Sequence, residues 1–259
     1  MQVVIIGRGR LATNLLPVLR QAGHEVTSIN SRTLENLPLK ADVFIISVKD
    51  NALQEVIRQA TKGRDEQLFV HTAGSMPMDV FKGNTTRYGV LYPMQTFSKE
   101  RQVDFREIPV FIEANADVET AEGKPVKVLR SLAESISEHV YELSSEERKY
   151  LHLAAVFACN FANHCYALSA EALANVHLPF DVMLPLIDET ARKVHELHPL
   201  DAQTGPAVRY DENVIRMQSS LIEDPLMREI YERMSQSIHE KANNTHDTLR
   251  FTEDKSHCV

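Results

Sequence analysis

The sequence has no tryptophan and only three cysteines in 259 residues. None of Cys159, Cys165 and Cys258 sits in a C-x-x-C pair. Cys159 and Cys165 fall in an apolar helical run, where a free thiol behaves as a small hydrophobe. This fits a reducing compartment, and a cytoplasmic protein is expected. No apolar run approaches the roughly 20 residues needed to cross a bilayer, so no membrane role is expected. Basic clusters are missing too. Lys plus Arg is 28 against 36 Asp plus Glu, a formal charge of -8. Such a surface repels a nucleic-acid backbone, so no nucleic-acid partner is expected. Lys124, Lys127 and Arg130 recur at helical spacing and read as one solvated helix face. The eleven histidines form no H-x-x-x-H pair, and no metal is expected.

What is present is ordinary globular composition, 43% hydrophobic and 25% charged. The length suits two domains. Met1–Ile6 has no basic n-region and leads at once into a glycine loop, so it reads as a strand and not a signal peptide. Strands are expected over 2–6, 25–29, 41–48, 67–71, 88–92, 109–113 and 138–143. Helices are expected over 11–22, 51–60 and 118–135. The alternation with short links predicts an α/β class: a doubly wound parallel Rossmann sheet followed by an all-α C-terminal domain. The character changes after Ser144. Ser144-Ser145-Glu146-Glu147 is a helix start with a hydroxyl cap and early acids. Lys149–Val176 reads as one long apolar helix, with further helices over 180–197, 211–221 and 224–243. The expected division is 1–144 and 145–259, and the polar stretch Thr245–Val259 is expected to fray.

Gly7-Arg8-Gly9-Arg10-Leu11-Ala12 is G-x-G-x-x-A between a strand and a helix. The first glycine permits a tight turn, the second lets a pyrophosphate approach the backbone, and Ala12 lets helix and strand pack closely. The diphosphate would sit on free N–H groups at the positive end of the helix. The second strand ends in Ile29-Asn30-Ser31-Arg32, without the acid that usually holds a ribose 2′-hydroxyl. Ser31 and Arg32 suit a 2′-phosphate instead, so NADP(H) is the expected cofactor. Ser47 and Val48 end the next strand beside the glycine loop, where a dinucleotide lies across an open sheet. His71-Thr72-Ala73-Gly74-Ser75 ends another, with Thr72, Ala73 and Gly74 small enough to leave room for a nicotinamide ring.

These motifs resemble the 6-phosphogluconate dehydrogenase-like superfamily, which includes pyrroline-5-carboxylate reductase, ketopantoate reductase and deazaflavin-dependent NADP reductases. A closer resemblance is to an uncharacterised bacterial family pairing a Rossmann-like domain with a helical domain of unknown function. It is carried by His71–Ser75, Tyr92-Pro93-Met94-Gln95-Thr96-Phe97, His152–Asn160 and Gln203–Asp211, and covers essentially the whole chain. The resemblance implies a Lys and an Asn on the first long helix of the second domain, facing the nicotinamide. Lys149, His152 and Asn160 are the candidates there, with His152 or Lys149 as proton donor. The spacing of Lys149 to Asn160 departs from the ketopantoate reductase pattern. Lys149 also reads as a solvated surface lysine, and Asn160 as a helix–helix hydrogen bond. Ser75, Gln95 and Arg209 are candidate substrate contacts, Arg209 as a bidentate carboxylate reader or as the pin of a turn. The expected activity is NADP(H)-dependent hydride transfer on a small carbonyl or imino acid, by a homodimer built through the second domain. A non-catalytic dinucleotide sensor and a deazaflavin- or flavin-linked NADP reductase are the alternatives.

Overall fold

The computed structural model describes residues 1–115 and 124–244. Thr245–Val259 with Cys258, and the first six residues of the helix expected over 118–135, lie outside them. The chain divides into two compact units, Met1–Phe161 and Ala162–Val259.

The first unit is built on seven strands: β1 (Gln2–Ile6), β2 (Glu25–Ile29), β3 (Val43–Ile46), β4 (Leu68–His71), β5 (Arg87–Pro93), β6 (Val110–Ala114) and β7 (Val140–Glu142). They form one sheet in the order β2-β1-β3-β4-β5-β6-β7. The four pairings from β2 through β5 are parallel. This is the doubly wound sheet expected from the sequence, mostly parallel, with one antiparallel pairing: β6 runs antiparallel to β5, with Leu91 opposite Ile112, and β7 follows β6 in parallel. The cause is the connection. β5 leads to β6 through an irregular segment with only a 3₁₀ turn, Phe105–Glu107, and without a crossover helix. A parallel return needs such a crossover.

Helices α1 (Arg10–Gln21), α2 (Asp50–Ala60), α3 (Pro125–Glu134) and α4 (Ser145–Ala155) complete this unit. The two-residue alternation of the strands divides the core. Val3, Ile5, Val43, Ile45, Leu68 and Val70 meet Leu15 and Leu19 of α1 and Leu129 and Leu132 of α3. Val4, Ile6, Phe44, Ile46 and Phe69 meet Leu53, Val56 and Ile57 of α2. Strands buried on both faces read as continuous apolar runs for this reason. Because β1 lies between β2 and β3, the chain reverses direction of travel across the sheet there. The loops after β1 and β3 therefore adjoin at the carboxyl edge, the place where open α/β sheets take ligands.

The start of α4 is a capping box. Ser144 Oγ accepts from the Glu147 N–H at 3.3 Å, and Glu147 Oε2 accepts from the Ser144 N–H at 3.0 Å. The single long helix expected over 149–176 is interrupted. After α4 the chain makes a π-helical turn at Val156–Phe161 and continues as α5 (Ala162–Ala174). Such wide turns inside helices recur at functional sites.

The second unit continues with α6 (Leu184–Glu196), α7 (Pro199–Ala202), α8 (Pro206–Arg209), α9 (Glu212–Ser220) and α10 (Pro225–Asn244). Each of these last four helices follows its own start signal: proline opens α7, α8 and α10, and the Asp211 carboxylate caps α9 at the Val214 N–H. No strand follows β7 among the described residues. Among them, too, no helix is long and apolar enough to cross a membrane.

Candidate functional site

The glycine loop sits at the carboxyl end of β1, held by Gly7 N–H donating to the Ile29 carbonyl at 3.0 Å. Gly7 has φ +135°, and a Cβ there would overlap the Ser47 carbonyl oxygen. The close approach of the loops after β1 and β3 thus requires glycine. Gly9 is different. Its φ is -75°, which any residue adopts, and a Cβ there would meet nothing within 4 Å. Among the described residues nothing explains a glycine at 9. A pyrophosphate drawn against the backbone does, since α1 opens at Gly9 without a side-chain cap and leaves its first N–H groups free. The residues present therefore fit a dinucleotide. Arg10 and Leu11 begin α1, and Ala12 is buried against the core.

At the end of β2, Asn30 Oδ1 accepts from the Arg32 N–H at 3.0 Å, an Asx turn that presents Ser31 and Arg32 at the edge. Arg32 is exposed, and no carboxylate of the described residues pairs with it. Ser47 is buried and its N–H donates to Ile6. Val48 packs on the α2 side of the core. Thr72 is buried, and its N–H donates to Ile46 at 3.3 Å.

The loop after β4 is shaped by His71, which is buried completely. Its Nδ1 accepts from the Ala73 N–H at 3.2 Å and its Nε2 faces the Pro77 carbonyl at 3.3 Å. These partners assign the neutral, Nε2-protonated ring. Burial, then the Arg148 charge, pushes its pKa down to about 4. The unfolded ring binds a proton near pH 6.5 and the folded ring does not, so stability falls as pH drops from about 6.5 to about 4. The loss is roughly 3 kcal/mol at about 1.4 per pH unit. Urea unfolding measured across this range should show that slope, and His71→Gln, starting from a lower stability, should remove it.

Gly74 meets the main polar pair of the unit. A Cβ there would stand 2.6 Å from His152 Nδ1 and 2.9 Å from Tyr92 Cζ. The room that small residues leave at this loop is thus occupied at Gly74 by these two side chains. The Tyr92 hydroxyl and His152 Nδ1 are 3.1 Å apart, their rings edge to face. Burial raises the Tyr92 pKa, and the Arg148 charge opposes it. Both side chains line a cavity of about 520 Å³ with Arg10, Met94, Gln95, Cys159 and Asn160. An ideal helix would set His152 and Asn160 about 80° apart. With the intervening π-helical turn both line this cavity. Asn160 is exposed there.

Of the other first-unit candidates, Gln95 lines this cavity and Lys149 and Ser75 do not. Lys149 is exposed, pairs with Glu146 at 2.6 Å, and does not line the cavity. The Ser75 hydroxyl donates to Asp50 at the start of α2. Gln95 is exposed, its Oε1 accepting from the Thr96 N–H. Arg209, at the end of α8 in the second unit, is exposed. Among the described residues no cluster of three His, Cys, Asp or Glu side chains could hold a metal.

Two residues escaped the sequence reading. Arg148 sits in an acidic first turn that looks solvent-facing, yet it is 1% exposed and pairs with Glu113 of β6 at 2.6 Å. Its guanidinium also donates to the Met76 carbonyl at 2.7 Å. The available signal was its phase, one helical turn before His152. Tyr92 was visible only as part of a motif on β5.

The family defined as domain of unknown function DUF2520 matches residues 108–238. No curated protein matches the chain. Among solved structures, a candidate NADP oxidoreductase from Bacteroides fragilis is 50% identical, with a TM-score of 0.83 over 92% of this chain and 98% of that one. A protein from Thermotoga maritima is 21% identical, TM-score 0.68, covering 94% and 99%. An imine reductase from Myxococcus stipitatus, in complex with NADP+, is 16% identical, TM-score 0.58, covering 95% and 96%. The last two share the fold. On the family match, which spans β6, α4 and most of the helical region, the chain belongs to the DUF2520 family.

Proposed function

We propose that this protein is an NADP(H)-dependent oxidoreductase acting on a small carbonyl or imino acid. The observation that carries the reading is Gly9, a glycine that the fold does not need and a pyrophosphate does. The candidate NADP oxidoreductase from Bacteroides fragilis, half identical over nearly the whole chain, supports it. Gly7, Gly9, Arg10, Leu11 and Ala12 would hold the diphosphate, Ser47 and Val48 the neighbouring ribose, and Thr72, Ala73 and Gly74 the nicotinamide side. The bound cofactor would supply the hydride. The chain's part is to orient the substrate through Asn160 and Gln95 and to deliver a proton from the His152 wall of the cavity. Lys149, tied to Glu146 on the surface, is the weaker donor.

Ser31 and Arg32 would read the 2′-phosphate. Arg32→Ala should weaken NADPH binding by roughly 10- to 100-fold and leave NADH binding unchanged, since charge-assisted hydrogen bonds contribute about 1.5–3 kcal/mol. Equal weakening of both would assign Arg32 no part in the choice. The reaction itself is tested by following NADPH oxidation with a panel of 2-keto acids and cyclic imino acids. Turnover of one member supports the reading, and binding without any turnover contradicts it.

We also propose a homodimer through the second unit, in a reducing cytoplasm. Val176, Leu178, Leu186, Leu221 and Leu226 are each 50–68% exposed, an apolar surface that a monomer in water rarely leaves open. The free thiols Cys159 and Cys165 agree with the compartment. Light scattering giving the mass of a monomer would rule the dimer out.

A further inference from the structure

We infer that Tyr92 is a further catalytic residue of this site: its phenol gives the proton to the reacting oxygen or nitrogen of the substrate, and His152 returns a proton to the phenol. This deepens the oxidoreductase reading and rests on it.

Three observations carry the assignment. The first is position. Tyr92 lies near the carboxyl end of β5, opposite Phe111 of β6, just past the stretch of β5 that also pairs with β4. A group that must meet a reacting atom within a few tenths of an ångström belongs on such a rigid element. His152 lies on α4, half-buried between the exposed residues Lys149 and Leu153.

The second is contact. The hydroxyl of Tyr92 and Nδ1 of His152 are 3.1 Å apart, and both rings press on Gly74 so closely that no Cβ fits. The pair is thereby held against the loop after β4, at the same edge of the sheet as the glycine loop. A phenol oxygen whose partner among the described residues is His152 Nδ1 keeps hydrogen-bonding capacity for a second partner, and the cavity it lines is also lined by Asn160 and Gln95.

The third is charge. Burial opposes formation of a phenolate at Tyr92, and the buried Arg148 favours it. Arg148 is fixed by Glu113 and by the Met76 carbonyl, so the favourable charge is in place before any proton moves.

The balance is complete once a reduced nicotinamide dinucleotide supplies one hydride, which carries both electrons. The electrophilic carbon gains the hydride, its π pair moves to oxygen or nitrogen, and that atom takes the phenolic proton of Tyr92. The phenolate takes the Nδ1 proton of cationic His152, leaving neutral imidazole. Water reprotonates His152. The reverse reaction runs the same transfers backward.

The test uses the full-length protein with ¹⁵N-labelled histidine. The His152 resonances are identified by their loss in His152→Gln. In Tyr92→Phe they should shift, because Nδ1 loses its partner, while those of buried His71 stay in place. Unchanged His152 resonances would overturn the pair. In parallel, NADPH affinity and turnover of the imino-acid and keto-acid panel are measured. Tyr92→Phe should bind NADPH within about twofold of wild type and lose roughly 10²- to 10⁴-fold in kcat, the range for a positioned proton donor. Full activity in Tyr92→Phe overturns the Tyr92 assignment and leaves the oxidoreductase reading standing. Failure of the wild type to bind NADPH, or to turn over any member of the panel, overturns the oxidoreductase reading and the catalytic role of Tyr92 with it.

Discussion

Gly9→Ala should fold with close to wild-type stability and lose NADPH binding by at least about 100-fold. An alanine Cβ at 9 meets no atom of the chain within 4 Å and needs no change in φ. The stability cost of Ala in place of Gly before a helix is under about 1 kcal/mol. The Cβ does, however, fill the approach of a diphosphate to the first N–H groups of α1. Gly7→Ala should fail differently. Its φ of +135° alone costs an alanine roughly 1–3 kcal/mol, and the overlap with the Ser47 carbonyl adds to that. Gly7→Ala should therefore lower the unfolding midpoint as well as binding. Urea unfolding together with NADPH fluorescence separates the two. If Gly9→Ala binds as wild type does, the pyrophosphate is not at this loop.

Arg148→Met should destabilise the first unit by roughly 3–5 kcal/mol, the cost of leaving one partner of a buried ion pair behind. Arg148 is 1% exposed, and Glu113 keeps only 17% of its side chain in contact with solvent. Glu113 would retain the Ser145 N–H and hydroxyl as donors, which places the loss toward the lower end. The guanidinium also holds the Met76 carbonyl, so the loop after β4 should loosen and with it the seat of Tyr92 and His152. The change is read by urea unfolding, and a double replacement, Arg148→Met with Glu113→Gln, should recover part of the loss. A midpoint within about 0.5 kcal/mol of wild type would mean that the pair does not tie α4 to β6.

Much of this architecture is legible in the sequence because it is written locally. The runs at Val3–Ile6 and Val43–Ile46 are apolar throughout because both faces of those strands are covered. Ser144 and Glu147, three positions apart, mark the start of α4 by a capping box. Gly7 and Gly9 mark the tight loop between β1 and α1 within a single turn. The reversal of β6 is not written this way, since it depends on an irregular stretch, 94–109, with no periodicity to read. The π-helical turn is hidden for a related reason: Leu151–Phe161 is so apolar that a one-residue change of register leaves no mark on the pattern. Tyr92 and His152 stand 60 residues apart and meet only when α4 docks on the sheet. Arg148 misleads because a charged residue among Glu146, Glu147 and Lys149 looks solvated, and its burial is decided by Glu113, 35 residues earlier.

The central claim, that this is an NADP(H) enzyme, is tested most directly by fluorescence titration with NADPH and with NADH. The sequence contains no tryptophan, so reduced-nicotinamide emission can be followed with little background. Binding of NADPH at least about tenfold tighter than NADH, lost in Gly9→Ala, is the expected result. Absence of binding by either nucleotide would contradict the account.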